Sequence, residues 1–282
     1  MELSSPAKIN LWLRILGKRE DGFHEVETRL CAVSVADTVS LDLIGQGSSV
    51  ELTCNVPGIP LDESNLALKA LRAFEARVGF THAWRIHLEK RIPSGAGLGG
   101  GSSNAAAILK GANELVGSPL KLEDLLDIAG GIGADVPCFL LPTSAADGTG
   151  RGEKVVPVHF PWRLPLVLIK PAFPIPTPWA YQNWARSQEI PGVLYAPQLC
   201  PWGSMVNSLE RPVFEKHRLL PAMKSWLLGQ SGVQAALMSG SGSTMFAITR
   251  SSADAQALAV EAKKWCGDTA WIQATTTMGE ND

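Results

Sequence analysis

No stretch of the 282-residue chain approaches the roughly 20 consecutive apolar residues that a membrane-spanning helix needs, so no membrane partner is expected. Cysteine is sparse. The five cysteines are scattered at 31, 54, 138, 200 and 266, with no Cys-x-x-Cys pair and no metal-ligand spacing to the histidines. An odd, dispersed set suits a reducing compartment rather than a disulfide framework, and the expectation is a bacterial cytoplasm. Excess charge is missing too: the formal net charge is −2, so no basic field argues for nucleic acid. The start, Met1-Glu2-Leu3-Ser4-Ser5-Pro6, has no basic segment followed by an apolar core, and no secretory signal is expected. There is no repeat, and no low-complexity block apart from a polar C-terminal tail. What remains is an ordinary globular composition, 45% hydrophobic and 18% charged, long enough for two domains. The nine tryptophans read as packing rather than as a base-stacking surface.

Glycine, by contrast, is concentrated in one place. Residues 93 to 104 run Pro93-Ser94-Gly95-Ala96-Gly97-Leu98-Gly99-Gly100-Gly101-Ser102-Ser103-Asn104. Before them, Trp84, Ile86 and Leu88 alternate with Arg85, His87 and Glu89, the pattern of a half-buried strand. After them, Ala105, Ile108, Leu109, Ala112, Leu115 and Val116 recur at helical spacing until Gly117-Ser118-Pro119. A glycine-rich turn between a strand and a helix lets backbone N–H groups approach a ligand. The first helical turn adds unpaired donors and the positive end of the dipole. A phosphate chain fits there. A structural turn or linker is the plainer reading, but linkers rarely join a strand directly to a helix.

Three familiar phosphate loops fit poorly. Gly95 to Gly100 satisfies G-x-G-x-x-G, but the preceding strand alternates instead of being continuously apolar, and the next segment reads as helix, with Leu122, Leu125, Leu126 and Ala129 on one face. A nicotinamide oxidoreductase is therefore disfavoured. No Lys follows the glycines as a Walker loop requires. Neither Val-Ala-Ile-Lys nor His-Arg-Asp is present for a protein kinase.

Elsewhere, Ile9, Leu11, Leu13 and Ile15 alternate along a strand that places Lys8 and Asn10 on one face. That spacing alone equally describes the solvated face of an edge strand. Asp21-Gly22-Phe23-His24 is a turn presenting an aromatic and an imidazole, which by itself is a hairpin tip. Strands are expected at 26–33, 38–44 and 50–54, and a helix opening at Asp62-Glu63-Ser64-Asn65. Strands first and helices later argue for α+β. Asp135 sits in Gly133-Ala134-Asp135-Val136-Pro137 beside an apolar run. It is either a turn carboxylate or a partly buried acid that needs a partner. Small polar residues at 145–152 suggest a domain boundary. Beyond it come a strand at 164–170, a proline-stiffened loop to a helix carrying Trp179 and Tyr181, helices at 205–215 and 221–228, strands at 234–239 and 244–249, a helix at 252–265 and a last strand at 270–274.

Taken together, Ser5-Pro6-Ala7-Lys8-Ile9-Asn10-Leu11, Asp21-Gly22-Phe23-His24, the loop at 93–104, Gly133-Ala134-Asp135-Val136-Pro137, Ile175-Pro176-Thr177-Pro178 and Ser239-Gly240-Ser241-Gly242-Ser243 resemble the GHMP kinases, over nearly the whole chain. The resemblance implies a two-domain α+β fold: a ribosomal-protein-S5-like domain over 1–148 and a ferredoxin-like domain over 149–282. It implies ATP as phosphoryl donor with Mg²⁺, and Pro93, Ser94, Gly95, Ala96, Gly97, Leu98, Gly99, Gly100, Gly101, Ser102 and Ser103 as the ATP loop, with Ser102 a candidate metal contact. Lys8 and Asp135 match the catalytic pair, with Asp135 as base. Asn10, Phe23, His24, Thr177, Tyr181, Gly240 and Ser241 match substrate contacts. Within the family these features point to phosphorylation of the tertiary 2-hydroxyl of cytidine diphosphate methylerythritol, in the non-mevalonate route to isoprenoid precursors. A homoserine- or mevalonate-type kinase is the alternative, and a non-catalytic nucleotide-binding module is disfavoured by the presence of both Lys8 and Asp135. The family often has Tyr then Phe at the two aromatic positions, where this chain has Phe23 and Tyr181. Ser94 and Ala96 replace other small residues. The implied state is a monomer or weak homodimer.

Overall fold

The computed structural model describes residues 1–279; the last three residues of the polar tail lie outside them. The first unit opens with two long antiparallel strands, β1 (Glu2–Lys18) and β2 (His24–Gln46). The two strands expected at 26–33 and 38–44 are one, β2. Its register against β1 slips between Pro6 and Ala7, opposite residues 33 to 36, and this bulge bends the strand without ending it. Next come β3 (Val50–Cys54), α1 (Leu66–Val78), β4 (His82–Glu89), α2 (Gly100–Leu115) and α3 (Leu122–Ile132). Helix α1 starts where the Asn65 side chain accepts the Ala67 N–H and stops at Gly79 in the left-handed region. Residues from all three helices pack with Val39, Leu41, Trp84 and Ile86 of the sheet in one core.

A hairpin, β5 (Ala145–Thr149) and β6 (Lys154–Pro157), pairs onto the first half of β2. The expected boundary at 148/149 thus falls inside β5, and the chain stays in the first sheet until Pro157. The second unit contains β7 (Pro165–Lys170), α4 (Thr177–Trp184), β8 (Gln198–Cys200), β9 (Gly203–Asn207), α5 (Glu210–Lys216), α6 (Leu219–Leu228), β10 (Val233–Met238), β11 (Met245–Thr249), α7 (Ser252–Cys266) and β12 (Trp271–Thr276). Four strands form an antiparallel sheet in the order β10-β11-β7-β12. Val167 and Ile169 of β7 face a core built with α5, α6 and α7. Leu166 and Leu168 face Ile9, Leu11 and Val33 of the first sheet. With both faces buried, β7 reads as an unbroken apolar run.

One expectation is corrected here. Met205 to Asn207 belong to a strand, not a helix: β9 runs parallel to β1, Trp12 opposite Val206 and Leu13 opposite Asn207. The second half of the chain therefore contributes β8 and β9 to the first sheet, whose order is β3-β4-β2-β1-β9-β8. β1 is consequently flanked on both sides at Trp12 and Leu13, the glycine loop borders it at Lys8, and Lys8 and Asn10 are buried along with the apolar residues on its other face. This excludes the solvated-edge reading.

The α5–α6 pair is pinned by a fully buried ion pair. Lys224 Nζ donates to Glu210 Oε2 at 2.6 Å, and Glu210 Oε1 accepts the Met238 N–H at 2.9 Å, at the end of β10. Removing one partner from such a pair leaves an uncompensated buried charge. Glu210→Gln should lower the unfolding free energy by about 3–5 kcal/mol, read as a drop in urea midpoint at constant slope; a loss under about 1 kcal/mol would show that the Lys224 ammonium finds other partners.

Candidate active site

The glycine loop lies at the junction of the two units. Gly95, Gly97 and Gly99 have φ of 61°, 75° and 71°, a left-handed backbone that side chains disfavour. Between them, Ala96 and Leu98 turn inward and pack in the core shared by both sheets. The loop is therefore a ribbon anchored by its two apolar side chains, with its glycines bordering the cleft. A Cβ on Gly97 would stand 2.2 Å from the Ser239 carbonyl oxygen, and one on Gly99 about 3.0 Å from the Lys8 side chain. The Ser239 hydroxyl donates to the Gly97 carbonyl at 2.9 Å, and the Thr244 N–H to that of Ala96 at 3.2 Å. Helix α2 begins at Gly100 with Gly99 as its cap and no side-chain capping bond. Its first-turn donors are thus available to an anion.

The cleft beneath the loop has a volume of about 910 Å³. Of the eleven loop positions expected to hold ATP, Pro93 to Ser102 line it. Ser103 does not, which corrects its assignment. One position further along the helix, it is buried: it accepts a hydrogen bond from the Ser5 hydroxyl at 2.8 Å, while its N–H donates to the Gly99 carbonyl.

Lys8 and Asp135 meet in this cleft. Lys8 Nζ is 3.2 Å from Asp135 Oδ2 and donates to Asn10 Oδ1 at 2.7 Å. Asn10 Nδ2 donates in turn to the Thr28 hydroxyl, and that hydroxyl to the Trp12 carbonyl, which fixes the amide orientation. The Lys8 side chain is almost fully buried, whereas that of Asp135 is 34% exposed, so the carboxylate keeps an open side. Asp135 rides a tight turn closed by the Val136 N–H on the Gly133 carbonyl. The turn is tied to α2 by Lys110 Nζ on the Phe139 carbonyl at 2.7 Å.

The other end of the cleft is aromatic. Phe23 is 53% exposed. The His24 and Tyr181 rings lie 5.5 Å apart. Burial, with Lys18 nearby, holds the His24 pKa below its usual value, so the ring is neutral at pH 7, one nitrogen donating and the other accepting. Burial first, and then the Asp135 carboxylate, push the Tyr181 phenol up. Thr177 and Ser241 share a hydroxyl–hydroxyl bond of 2.8 Å at the cleft wall. Gly240 closes the arrangement: a Cβ there would sit 3.2 Å from Lys8 Nζ. The structure thus gathers Asn10, Phe23, His24, Thr177, Tyr181, Gly240 and Ser241 around one cavity.

Several lining residues escaped the sequence reading. Arg151 lies over the Phe23 ring, 4.9 Å from its centroid; behind the lining, Trp184 packs edge-on to His24. Beyond the loop, Asn65, Leu66, Leu88 and Lys90 form a further lobe. Lys90 was within reach of inspection, standing three residues before Pro93. Arg151 was hidden in a segment that read as a boundary.

A model described as GHMP kinases N terminal domain matches residues 65–142, and one described as GHMP kinases C terminal matches 199–268. A 4-diphosphocytidyl-2-C-methyl-D-erythritol kinase of Methylacidiphilum infernorum is 43% identical over 245 residues, 86% of this chain and 84% of that protein. The chain belongs to the 4-diphosphocytidyl-2-C-methyl-D-erythritol kinase family of GHMP kinases. A chloroplastic member from Arabidopsis thaliana is 36% identical across 100% of this chain and 80% of its own length. A crystal structure of 4-(cytidine 5'-diphospho)-2C-methyl-D-erythritol kinase is similar with a TM-score of 0.79 at 33% identity, covering 99% of this chain and 100% of that one. A homoserine kinase structure from Cytophaga hutchinsonii, at 19% identity and a TM-score of 0.70, shares the fold. GHMP kinases use ATP as phosphoryl donor. The loop and Asp135 fall inside the first matched span, whereas Lys8, Phe23 and His24 precede it.

Gly97→Ala should depress the thermal unfolding midpoint and weaken ATP binding at least about tenfold, because strained backbone and overpacking each cost about 1–3 kcal/mol. Unchanged unfolding and unchanged ATP titration together would mean that the Ser239 strand end yields to a methyl group.

Proposed function

We propose that this chain transfers the γ-phosphoryl group of ATP to the 2-hydroxyl of 4-diphosphocytidyl-2-C-methyl-D-erythritol, giving the 2-phosphate and ADP. The carrying observation is the Lys8–Asp135 pair at 3.2 Å, in one cavity with the glycine loop and the Phe23–His24–Tyr181 cluster. Phosphoryl transfer needs a donor clamp, charge compensation and an aligned hydroxyl. The loop N–H groups and the start of α2 supply the clamp. The lobe at Asn65, Leu66 and Lys90 receives the nucleoside end of ATP, and the aromatic cluster receives the cytosine.

Asp135 accepts the hydroxyl proton, and Lys8 holds the carboxylate in place while offsetting negative charge as it develops. The acceptor is a tertiary alcohol, crowded and weakly acidic, so alignment by Asn10, Thr177 and the Gly240 turn contributes more than proton removal. Neutral His24 suits the donor–acceptor edge of a cytosine.

No cluster of three or more His, Cys, Asp or Glu side chains suited to a metal occurs among the described residues. That fits Mg²⁺ carried chiefly by phosphate oxygens and water, as is usual for nucleotide sites. Ser102 on the clamp side and Asp135 opposite are the residues to hold it, and the ion would spread charge between the phosphates. No helix among the described residues is long and apolar enough to cross a membrane.

The decisive experiment is ATP consumption with the cytidine diphosphate alcohol, homoserine and mevalonate, each with and without Mg²⁺. Turnover of only the first substrate supports the reading; preference for either other alcohol rejects it. Asp135→Ala should lower kcat by about two to four orders of magnitude, the range of general-base catalysis; near-native turnover removes Asp135 from that role. His24→Ala should raise KM for the cytidine substrate about 3–10-fold, one hydrogen bond's worth, with KM for ATP within about twofold. An equal rise in both would make His24 structural.

A further inference from the structure

The Asp37 carboxylate is buried behind the glycine loop, 1% exposed, and takes no part in the chemistry described above. Each of its oxygens accepts two bonds. Oδ1 takes the Arg91 N–H at 2.7 Å and the Ile92 N–H at 2.9 Å. Oδ2 takes Lys90 Nζ and, at 3.0 Å, Asn104 Nδ2. Lys90 Nζ also donates to Asn104 Oδ1 at 2.8 Å, and Asn104 Nδ2 lies 2.8 Å from the Ser5 hydroxyl, which donates to Ser103. Residues 90–92 are the entry to the loop, and Asn104 lies in the first turns of the helix that leaves it. One carboxylate therefore holds both ends of a segment whose middle is mostly glycine.

Glycine is the residue that loses most conformational freedom on ordering. A loop of this composition presents a single set of N–H donors only if its ends are fixed. Binding energy otherwise goes into ordering the loop each time a nucleotide arrives. Ala96 and Leu98 anchor the centre through the core, and Ile92 and Ala105 bury apolar groups at the two ends, but apolar packing is non-directional and only the Asp37 network ties the entry to the exit by directed bonds. A buried ion pair is a poor source of stability compared with apolar packing of the same volume. Its value here lies in geometry.

We infer that Asp37 is a positioning residue for nucleotide binding: through Lys90, the 91–92 backbone and Asn104 it sets the spacing between the loop's entry and helix α2, and so preorganises the clamp for the ATP phosphates. This rests on the reading of residues 93–102 as that clamp. Asp37 does not itself line the cleft, so its effect reaches ATP through the groups it holds: Lys90, the loop entry and Asn104.

The test compares the wild-type full chain with Asp37→Asn and Asn104→Ala. Asp37→Asn keeps shape but removes the charge and half the acceptor capacity. Asn104→Ala leaves the ion pair intact, removes only the bridging amide and suits a helix. Steady-state kinetics with both substrates, ADP titration by calorimetry and urea unfolding are measured for each. The expected result is a rise of at least tenfold in KM for ATP and in Kd for ADP for Asp37→Asn, and of three- to tenfold for Asn104→Ala, with KM for the cytidine alcohol within twofold. Should Asp37→Asn fail to fold, Asn104→Ala decides. A folded variant that loses urea stability but binds ADP like wild type overturns the inference, as does an equal rise in KM for both substrates. If the wild-type chain itself neither binds ADP nor consumes ATP with the alcohol, the clamp reading falls first, and that outcome is separate from any difference among the variants.

Discussion

Lys8 is held at both of its ends, and the site depends on this. Its backbone N–H donates to the Leu98 carbonyl at 2.9 Å, which joins β1 to the middle of the glycine loop. Its ammonium reaches Asp135 and Asn10. The same residue thus sets where the clamp lies and where the carboxylate lies, in one rigid frame. A buried ammonium is tolerated only with close acceptors. Here they are a carboxylate and an amide oxygen whose own orientation is fixed through Thr28. Moving β1 by one residue would send Lys8 to the opposite face of the sheet. The long antiparallel register with β2 and the parallel ladder with β9 prevent that slip.

The second unit serves this frame by supplying a floor. Asn207, at the end of β9, donates to the carbonyls of Met238 and Gly240 at 2.7 and 2.8 Å. Its side-chain Oδ1 accepts the Leu209 N–H, so both amide hydrogens and the amide oxygen are bonded. Glu210 secures the same strand end through the Met238 N–H. These bonds hold the 239–243 turn against Gly97 and against Lys8 Nζ, at spacings where only glycine fits at 97 and 240 without strain. The polar groups concentrated between the sheets are costly to desolvate unless each finds a partner. Nearly all do. Among the described residues only the Ser144 and Thr244 hydroxyls are buried without a hydrogen-bond partner.

What could be read in the sequence was local. The strand–glycine–helix pattern, Lys8 and Asn10 sharing a face, and most helix and strand positions follow from spacing alone, because the period of a segment is its own property. Burial of β1 was not legible. Its neighbour β9 lies about 190 residues along the chain, and its pairing is visible only in the fold. Strand β9 itself was masked by Met205, Leu209 and Val213, whose four-residue spacing imitates a helix face. The boundary at 145–152 misled for a related reason: the small residues that suggest a linker also suit a strand packed closely on β2. Ser102 and Ser103 are chemically identical in the sequence. A rotation of about 100° per helical residue puts one in the cleft and turns the other into β1.

The two units are bound too tightly to act as independent lobes. The β1–β9 ladder and the Ser239 and Thr244 bonds to the loop cross the junction. Thr277 also bridges to Val33, and the Met278 N–H reaches the Ala32 carbonyl. Opening the cleft by hinging the units would break these together with the shared apolar core, a cooperative cost far above that of moving a surface turn. The Asp21-Gly22-Phe23 turn is the contrasting element. Phe23 is largely exposed and its ring is covered on one side by the Arg151 guanidinium rather than by core residues. Access for a large charged alcohol therefore falls to this turn and to the neighbouring α4, while the phosphate clamp and the Lys8–Asp135 pair stay fixed. Such a division suits phosphoryl transfer to a crowded hydroxyl. On the proposed reading, the groups that react would keep their alignment between turnovers, and adaptation to the substrate would fall to the aromatic end of the cleft.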